Sequence, residues 1–137
     1  MLLTGSHGFI GSHYYKFLQQ QQRHVIPYDK KIRGEDLADS NTTKLMPDSD
    51  VVVHLAATNG TRLFYQTPTD VSINNTLPTI NLIERYRNTN TKFVFASTCE
   101  IFNSTIDNGY YHVPTDEAVP IMYNDITNPR WSYSIPK

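Results

Sequence analysis

Three short groups of residues in this chain have the types and spacing to do chemistry. The first is Thr4-Gly5-Ser6-His7-Gly8-Phe9-Ile10-Gly11, a Gly-x-x-Gly-x-x-Gly turn. Glycine at Gly5 permits a tight turn, at Gly8 the close approach of backbone to a pyrophosphate, and at Gly11 close packing of a helix on a strand. A helix opening there offers free N–H groups and a partial positive charge to an anion. Asp29 ends the next apolar run. A carboxylate in that place accepts hydrogen bonds from adenosine ribose hydroxyls and repels a 2′-phosphate, which favours NAD over NADP. Lys30 and Lys31 follow at once and partly offset that repulsion. The plain alternatives are a glycine turn and a helix cap.

The second group is Tyr133-Ser134-Ile135-Pro136-Lys137. A free tyrosine ionises near 10, too high for a base at neutral pH, and a neighbouring ammonium favours the phenolate. At i, i+4 on a helix the two side chains share a face, with Pro136 acceptable only in that helix's first turn. With nine tyrosines in the chain, such a pair also arises readily by chance as a surface feature. The third group is Ala96-Ser97-Thr98-Cys99-Glu100. Thr98 can hydrogen-bond a substrate hydroxyl or carbonyl and Glu100 can serve as a second acid or base. Cys99 has no histidine beside it and reads as a small buried thiol. The five histidines show no metal-ligand spacing, so no metal site is expected.

These groups need elements to hold them. Short apolar runs alternate with amphipathic stretches, the pattern of an α/β protein with a parallel sheet. Met1–Thr4, His24–Tyr28, Asp50–Ala57 and Lys92–Ala96 read as strands, and the third of these is apolar enough to be buried on both faces. Gly8–Gln20 reads as a helix with Ile10, Tyr14, Phe17 and Leu18 on one face. Asp70–Arg87 reads as a second helix, N-capped by Asp70 and kinked or broken at Pro78. A further strand near Glu35–Ala38 and a helix near Thr42–Leu45 are weaker readings. Asn103–Arg130 has no clear period and reads as a long loop. The Thr98 group then falls at the carboxyl edge of the sheet, where open α/β sheets bind ligands.

Bulk properties exclude several classes. At 137 residues, 39% hydrophobic and 18% charged, the chain describes one ordinary globular domain. The net charge of -1 with scattered Lys and Arg gives no basic stripe for nucleic acid or an anionic membrane. No apolar run approaches the roughly 18 residues of a membrane span. The single cysteine fits a reducing cytoplasm, and the first residues do not form a signal peptide.

Taken together, the Thr-Gly-x-x-Gly-Phe-Ile-Gly opening, Asp29, His54-Leu55-Ala56-Ala57, Ser97-Thr98 and the Tyr133/Lys137 pair resemble the extended short-chain dehydrogenases/reductases. This is the group of NAD-dependent sugar-nucleotide epimerases, dehydratases and decarboxylases. The resemblance runs the length of the chain and implies a Rossmann-type doubly wound parallel sheet, here incomplete at the C-terminus. It implies that Gly5, Gly8, Phe9, Ile10 and Gly11 hold the pyrophosphate and Asp29 the adenosine ribose. Asp36 and Leu37 would lie beside the adenine, and Leu55, Ala56, Ala57 and Asn74 further along the NAD. Tyr133 would take the proton of a nucleotide-sugar's 4-hydroxyl, Lys137 would lower the tyrosine's pKa and hold the nicotinamide ribose, and Thr98 would steady the 4-keto oxygen.

Dehydratases of the group carry Thr-Asp-Glu where this chain has Thr98-Cys99-Glu100, which argues against dehydration. Arg130-Trp131-Ser132-Tyr133-Ser134 resembles UDP-glucuronate decarboxylases and epimerases alike, and an epimerase is favoured with a decarboxylase close behind. A non-catalytic dinucleotide-binding module is the competing class. Pro78 and Asn103 replace glycines usual in the group, and Pro136 is unusual beside the lysine. Members also carry further strands and a C-terminal sugar-binding domain, so the chain is expected to be a fragment with negligible turnover. The full-length form is expected to dimerise through the helix beginning near Trp131.

Overall fold

The computed structural model describes the backbone of residues 1–137 and every side chain except that of Arg33. The chain forms two compact units, Met1–Thr58 with Ile73–Ala96, and Asn59–Ser72 with Ser97–Lys137.

In the first unit the apolar runs become four strands: β1 (Leu2–Thr4), β2 (Ile26–Tyr28), β3 (Val51–His54) and β4 (Lys92–Phe95). All pair in parallel, in the order β2-β1-β3-β4. Side chains alternate across a strand, so the register sorts them into rungs. One rung sets Ile26, Leu2, Val52 and Phe93 side by side, and the next but one sets Tyr28, Thr4, His54 and Phe95. Leu2, Val52 and Phe93 pack with Leu37, Met46, Leu82 and Tyr86 to make the core. Leu2, Val52 and Leu82 are wholly shielded from water. Each such side chain stabilises the fold by about 2 kcal/mol through burial.

Helix α1 (Phe9–Gln20) follows β1, as the glycine turn predicts. The face it buries differs from expectation: Gly11 and Leu18 are covered, while Ile10 and Phe17 are 68% and 52% exposed. The helix comes so close to the turn through Gly11 that the buried line is centred there, and Ile10 and Phe17 are rotated outward.

The expected strand near Glu35–Ala38 does not form. Short helices α2 (Lys30–Arg33) and α3 (Ser40–Lys44) occupy this region instead, joined by a turn in which Asp36 accepts from Ala38 N–H at 3.0 Å. The reason lies in β2. Ile26 N–H donates to Met1 at the β1 side, so the alternating amide of residue 27 faces the outer edge. That residue is Pro27, which has no N–H, so β2 lacks the outward donor a further strand would need.

Helix α4 (Thr61–Gln66) belongs to the second unit, and α5 (Pro68–Tyr86) contributes to both. Proline opens α5, because its fixed φ suits the first helical position, so Asp70 lies inside the first turn and is not the cap. The helix continues through Pro78 without a break. The expected loop after β4 carries structure at its start: a 3₁₀ turn (Cys99–Phe102) and α6 (Asn103–Asp107). Four-residue α7 (Trp131–Ser134) follows the irregular stretch. Cys99 is exposed, because the 3₁₀ turn directs it outward, correcting the buried reading.

Candidate functional site

The chain order reverses between β1 and β3, and a crevice opens at their carboxyl ends, the place where parallel α/β sheets bind ligands. The crevice is lined by Gly5, Gly8, Asp29, Asp36, Leu37, Leu55, Ala56, Ala57 and Asn74, nine of the residues singled out from sequence. Tyr28, Lys30, Lys31, Glu35, Thr58 and Pro78 complete it.

The glycines differ in what they do. Gly5 has φ +67°, and a side chain there would lie 2.6 Å from Ala56 N. A side chain at Gly11 would lie 2.0 Å from the carbonyl oxygen of Gly5. Three backbone segments, around Ala56, Gly5 and Gly11, are therefore in direct contact. Gly8 has ordinary backbone angles, φ −74° and ψ 175°, and a side chain would meet only Gly5 O, at 3.2 Å. The backbone angles do not demand glycine at position 8, but a side chain there would press on the Gly5 carbonyl, and its absence keeps that part of the crevice open. Phe9 and Ile10 extend their side chains into solvent and do not line the crevice; Phe9 is 84% exposed. Their N–H groups start α1, where a helix has orphan donors.

Asp29 is tied into this turn. Its Oδ2 accepts from His7 N–H at 2.8 Å and its Oδ1 from Lys31 N–H at 2.9 Å, so it both caps α2 and anchors the glycine turn to the end of β2. Each oxygen keeps capacity to accept a second hydrogen bond. Sequence reasoning passed over Asn75. Its side chain grips one residue at both ends, Oδ1 accepting from Thr58 N–H at 2.8 Å and Nδ2 donating to Thr58 O at 3.0 Å. The neighbouring Asn74 carried the only local signal.

An open glycine turn, a carboxylate with spare acceptor capacity and a helix start are groups able to hold sugar hydroxyls and an anion. Among the described residues, no group of three or more His, Cys, Asp or Glu side chains could hold a metal ion. No helix among them is long and apolar enough to cross a membrane.

The second unit holds Thr98, Glu100, Tyr133 and Lys137. Thr98 caps the 3₁₀ turn: its Oγ1 accepts from Glu100 N–H at 3.3 Å, which leaves the hydroxyl proton available to an outside acceptor. Glu100 is held by Arg130 in a two-pronged pair, Nε to Oε2 at 2.7 Å and Nη2 to Oε1 at 2.6 Å, both side chains mostly covered. Those bonds, aided by Tyr65, keep the Arg130 proton more firmly than usual. Both carboxylate oxygens of Glu100 are thus engaged.

Next to Arg130, Trp131 is buried and its Nε1–H donates to Asp125 O at 2.6 Å, with Tyr123 against it edge-on. Tyr133 stacks on Phe64 of α4, ring centres 4.8 Å apart. Ser72 Oγ–H donates to Ser132 O at 3.2 Å and Ser97 Oγ–H to Lys137 O at 2.9 Å. Burial lowers the Lys137 pKa below the ordinary 10.5. Pro136 and Lys137 lie beyond the last residue of α7, so Tyr133 and Lys137 do not share one regular helix as their spacing predicts.

Known proteins are similar to this chain in sequence and in fold. The chain is 28% identical over 153 residues to a UDP-N-acetyl-alpha-D-glucosaminuronate decarboxylase of Bacillus cytotoxicus, a match covering 99% of this chain and 46% of that protein. It superposes on a UDP-galactose 4-epimerase with TM-score 0.77 at 26% identity, covering 98% of this chain and 48% of the other. A short-chain dehydrogenase/reductase superfamily protein from Agrobacterium tumefaciens, solved with NAD, has the same fold with TM-score 0.76 at 24% identity, covering 99% and 41%. The chain thus spans less than half the length of these proteins. The family model described as NAD dependent epimerase/dehydratase family matches residues 1–137 throughout, and the chain belongs to that family.

Proposed function

We propose that this chain carries the NAD site and the catalytic side chains of a nucleotide-sugar 4-epimerase. The observation that supports this most is the β1/β3 crevice, whose open floor at Gly8 lies beside the Asp29 carboxylate. The A. tumefaciens protein of this fold binds NAD, and the superposed epimerase acts on UDP-galactose. Gly5, Gly8, Gly11 and the N–H groups of Phe9 and Ile10 hold the pyrophosphate, Asp29 the adenosine ribose, and Asp36 and Leu37 the adenine side. Leu55, Ala56, Ala57 and Asn74 line the remainder.

When bound, NAD supplies a hydride acceptor for the sugar carbon. Tyr133 takes the 4-hydroxyl proton, Lys137 orients the cofactor ribose, and Thr98 donates its free hydroxyl proton to the developing keto oxygen. Glu100 acts as a positioning residue: held by Arg130, it fixes the segment carrying Tyr133 to the 3₁₀ turn. A second reading, decarboxylation of a nucleotide-linked uronic acid, is favoured by the B. cytotoxicus relative. Because the chain spans 46% of that relative, turnover by the 137-residue polypeptide alone is expected to be negligible.

Calorimetry of the purified chain with NAD, NADP and an Asp29→Ala variant tests the cofactor site. Binding of NAD in preference to NADP, weakened by the substitution, is the expected result. A folded chain that takes up no NAD would sink the reading.

A further inference from the structure

His54 sits on the rung between Thr4 and Phe95 and is 1% exposed. Its hydrogen bonds have a fixed direction that proton counting reveals. Thr79 Oγ1 lies 2.9 Å from Asn75 O, and a carbonyl can only accept, so the Thr79 hydroxyl donates there. Having spent its proton, Thr79 Oγ1 accepts from His54 Nε2, 3.2 Å away, which puts the ring proton on Nε2. A neutral ring protonated there has a lone pair on Nδ1, to which Thr4 Oγ1–H, 2.7 Å away, donates. Thr4 Oγ1 in turn accepts from Ala56 N–H at 3.2 Å. Four bonds then run one way, from the Ala56 amide through Thr4, His54 and Thr79 to the α5 backbone.

The upstream end of this chain is the peptide on which the crevice is built. Gly5 lies so close to the Leu55–Ala56 peptide that no Cβ fits between them. A small shift of Ala56 would move Gly5, and Gly11 rests on Gly5 in turn. Thr79 does not line the crevice, so it has no direct access to a ligand there.

We propose that Thr4, His54 and Thr79 form a one-way hydrogen-bond relay that positions the Leu55–Ala56 wall of the dinucleotide crevice. This rests on the NAD reading above. His54 is a positioning residue: it touches no ligand and acts through Ala56. A buried histidine that merely satisfies its own nitrogens would stabilise the fold without preparing the crevice, and the two roles differ in what a change at Thr79 does.

The test uses the whole chain, ¹⁵N-labelled, as wild type, Thr79→Val and Thr79→Ser. The wild-type ring should show protonated Nε2 and a lone pair on Nδ1. Thr79→Val should speed Ala56 amide exchange and weaken NAD binding by about fivefold, the scale of one hydrogen bond. Thr79→Ser, which keeps the hydroxyl, should behave as wild type in both. A wild-type ring protonated on Nδ1 overturns the proposal. So does a folded Thr79→Val chain with unchanged NAD affinity and Ala56 exchange. If the wild type takes up no NAD, the dinucleotide reading falls. Ala56 exchange then judges the relay alone, faster exchange in Thr79→Val supporting it and unchanged exchange sinking it.

Discussion

Arg130 meets Glu100 in two parallel bonds of 2.6 and 2.7 Å across 30 residues of sequence. This pair ties the turn after β4 to the segment that carries Tyr133. Replacing Glu100 by Gln leaves a covered guanidinium with one neutral acceptor and should cost about 2 kcal/mol locally. The chain's one tryptophan, Trp131, adjoins Arg130, so urea unfolding followed by its emission reads the loss. A Glu100→Gln midpoint equal to wild type would show that the pair anchors nothing.

Gly8 and Gly11 should respond oppositely to alanine. At Gly11 the new carbon would lie 2.0 Å from Gly5 O, and relieving that overlap should cost about 3 kcal/mol or prevent folding. At Gly8 the 3.2 Å contact asks Gly5 O to give by a few tenths of an ångström, so Gly8→Ala should melt well above Gly11→Ala while losing NAD affinity. Melting curves and calorimetry on both variants check this. Equal melting losses would mean that the turn packs differently.

Burial raises the pKa of Tyr86 above 10.0, and its hydroxyl donates to Pro47 O at 2.8 Å. The folded chain therefore keeps this proton to higher pH than the unfolded chain does. By linkage the resulting stability is complete below pH 10.0 and is lost as pH rises through the folded value. Tyr86→Phe should be less stable at pH 7, by about 1 kcal/mol for the lost hydrogen bond, yet decline less steeply above pH 10.0. Parallel decline of the two chains would remove Tyr86 from the account.

Lys137 carries the opposite sign. Burial disfavours its ammonium, so the unfolded chain binds the proton more readily and stability rises with pH up to 10.5. Reductive ¹³C-methylation followed by NMR titration should place the Lys137 midpoint below 10.5, and a midpoint at or above it contradicts the burial.

What was legible in the sequence follows from how local each signal is. The glycine turn, Asp29 and the apolar runs act within a few residues of themselves, and the structure brings Gly5, Gly8 and Asp29 to one crevice. The Asp29 grip on His7, the Arg130 pair and the His54 relay join residues far apart in sequence, and no spacing rule announces them. The strand expected near Glu35 failed because its would-be partner has a proline in the one place that mattered. The buried face of α1 departs from its hydrophobic periodicity because periodicity assumes that side chains set the contact, whereas here a glycine does.

That proline gives the sheet a direction of growth. At the β2 border Pro27 has removed the outward amide from a three-residue strand, so that border offers an incoming strand one donor fewer. At the opposite border every residue of β4 retains its amide hydrogen. A strand added to this sheet by design therefore finds the better-equipped seat beside β4.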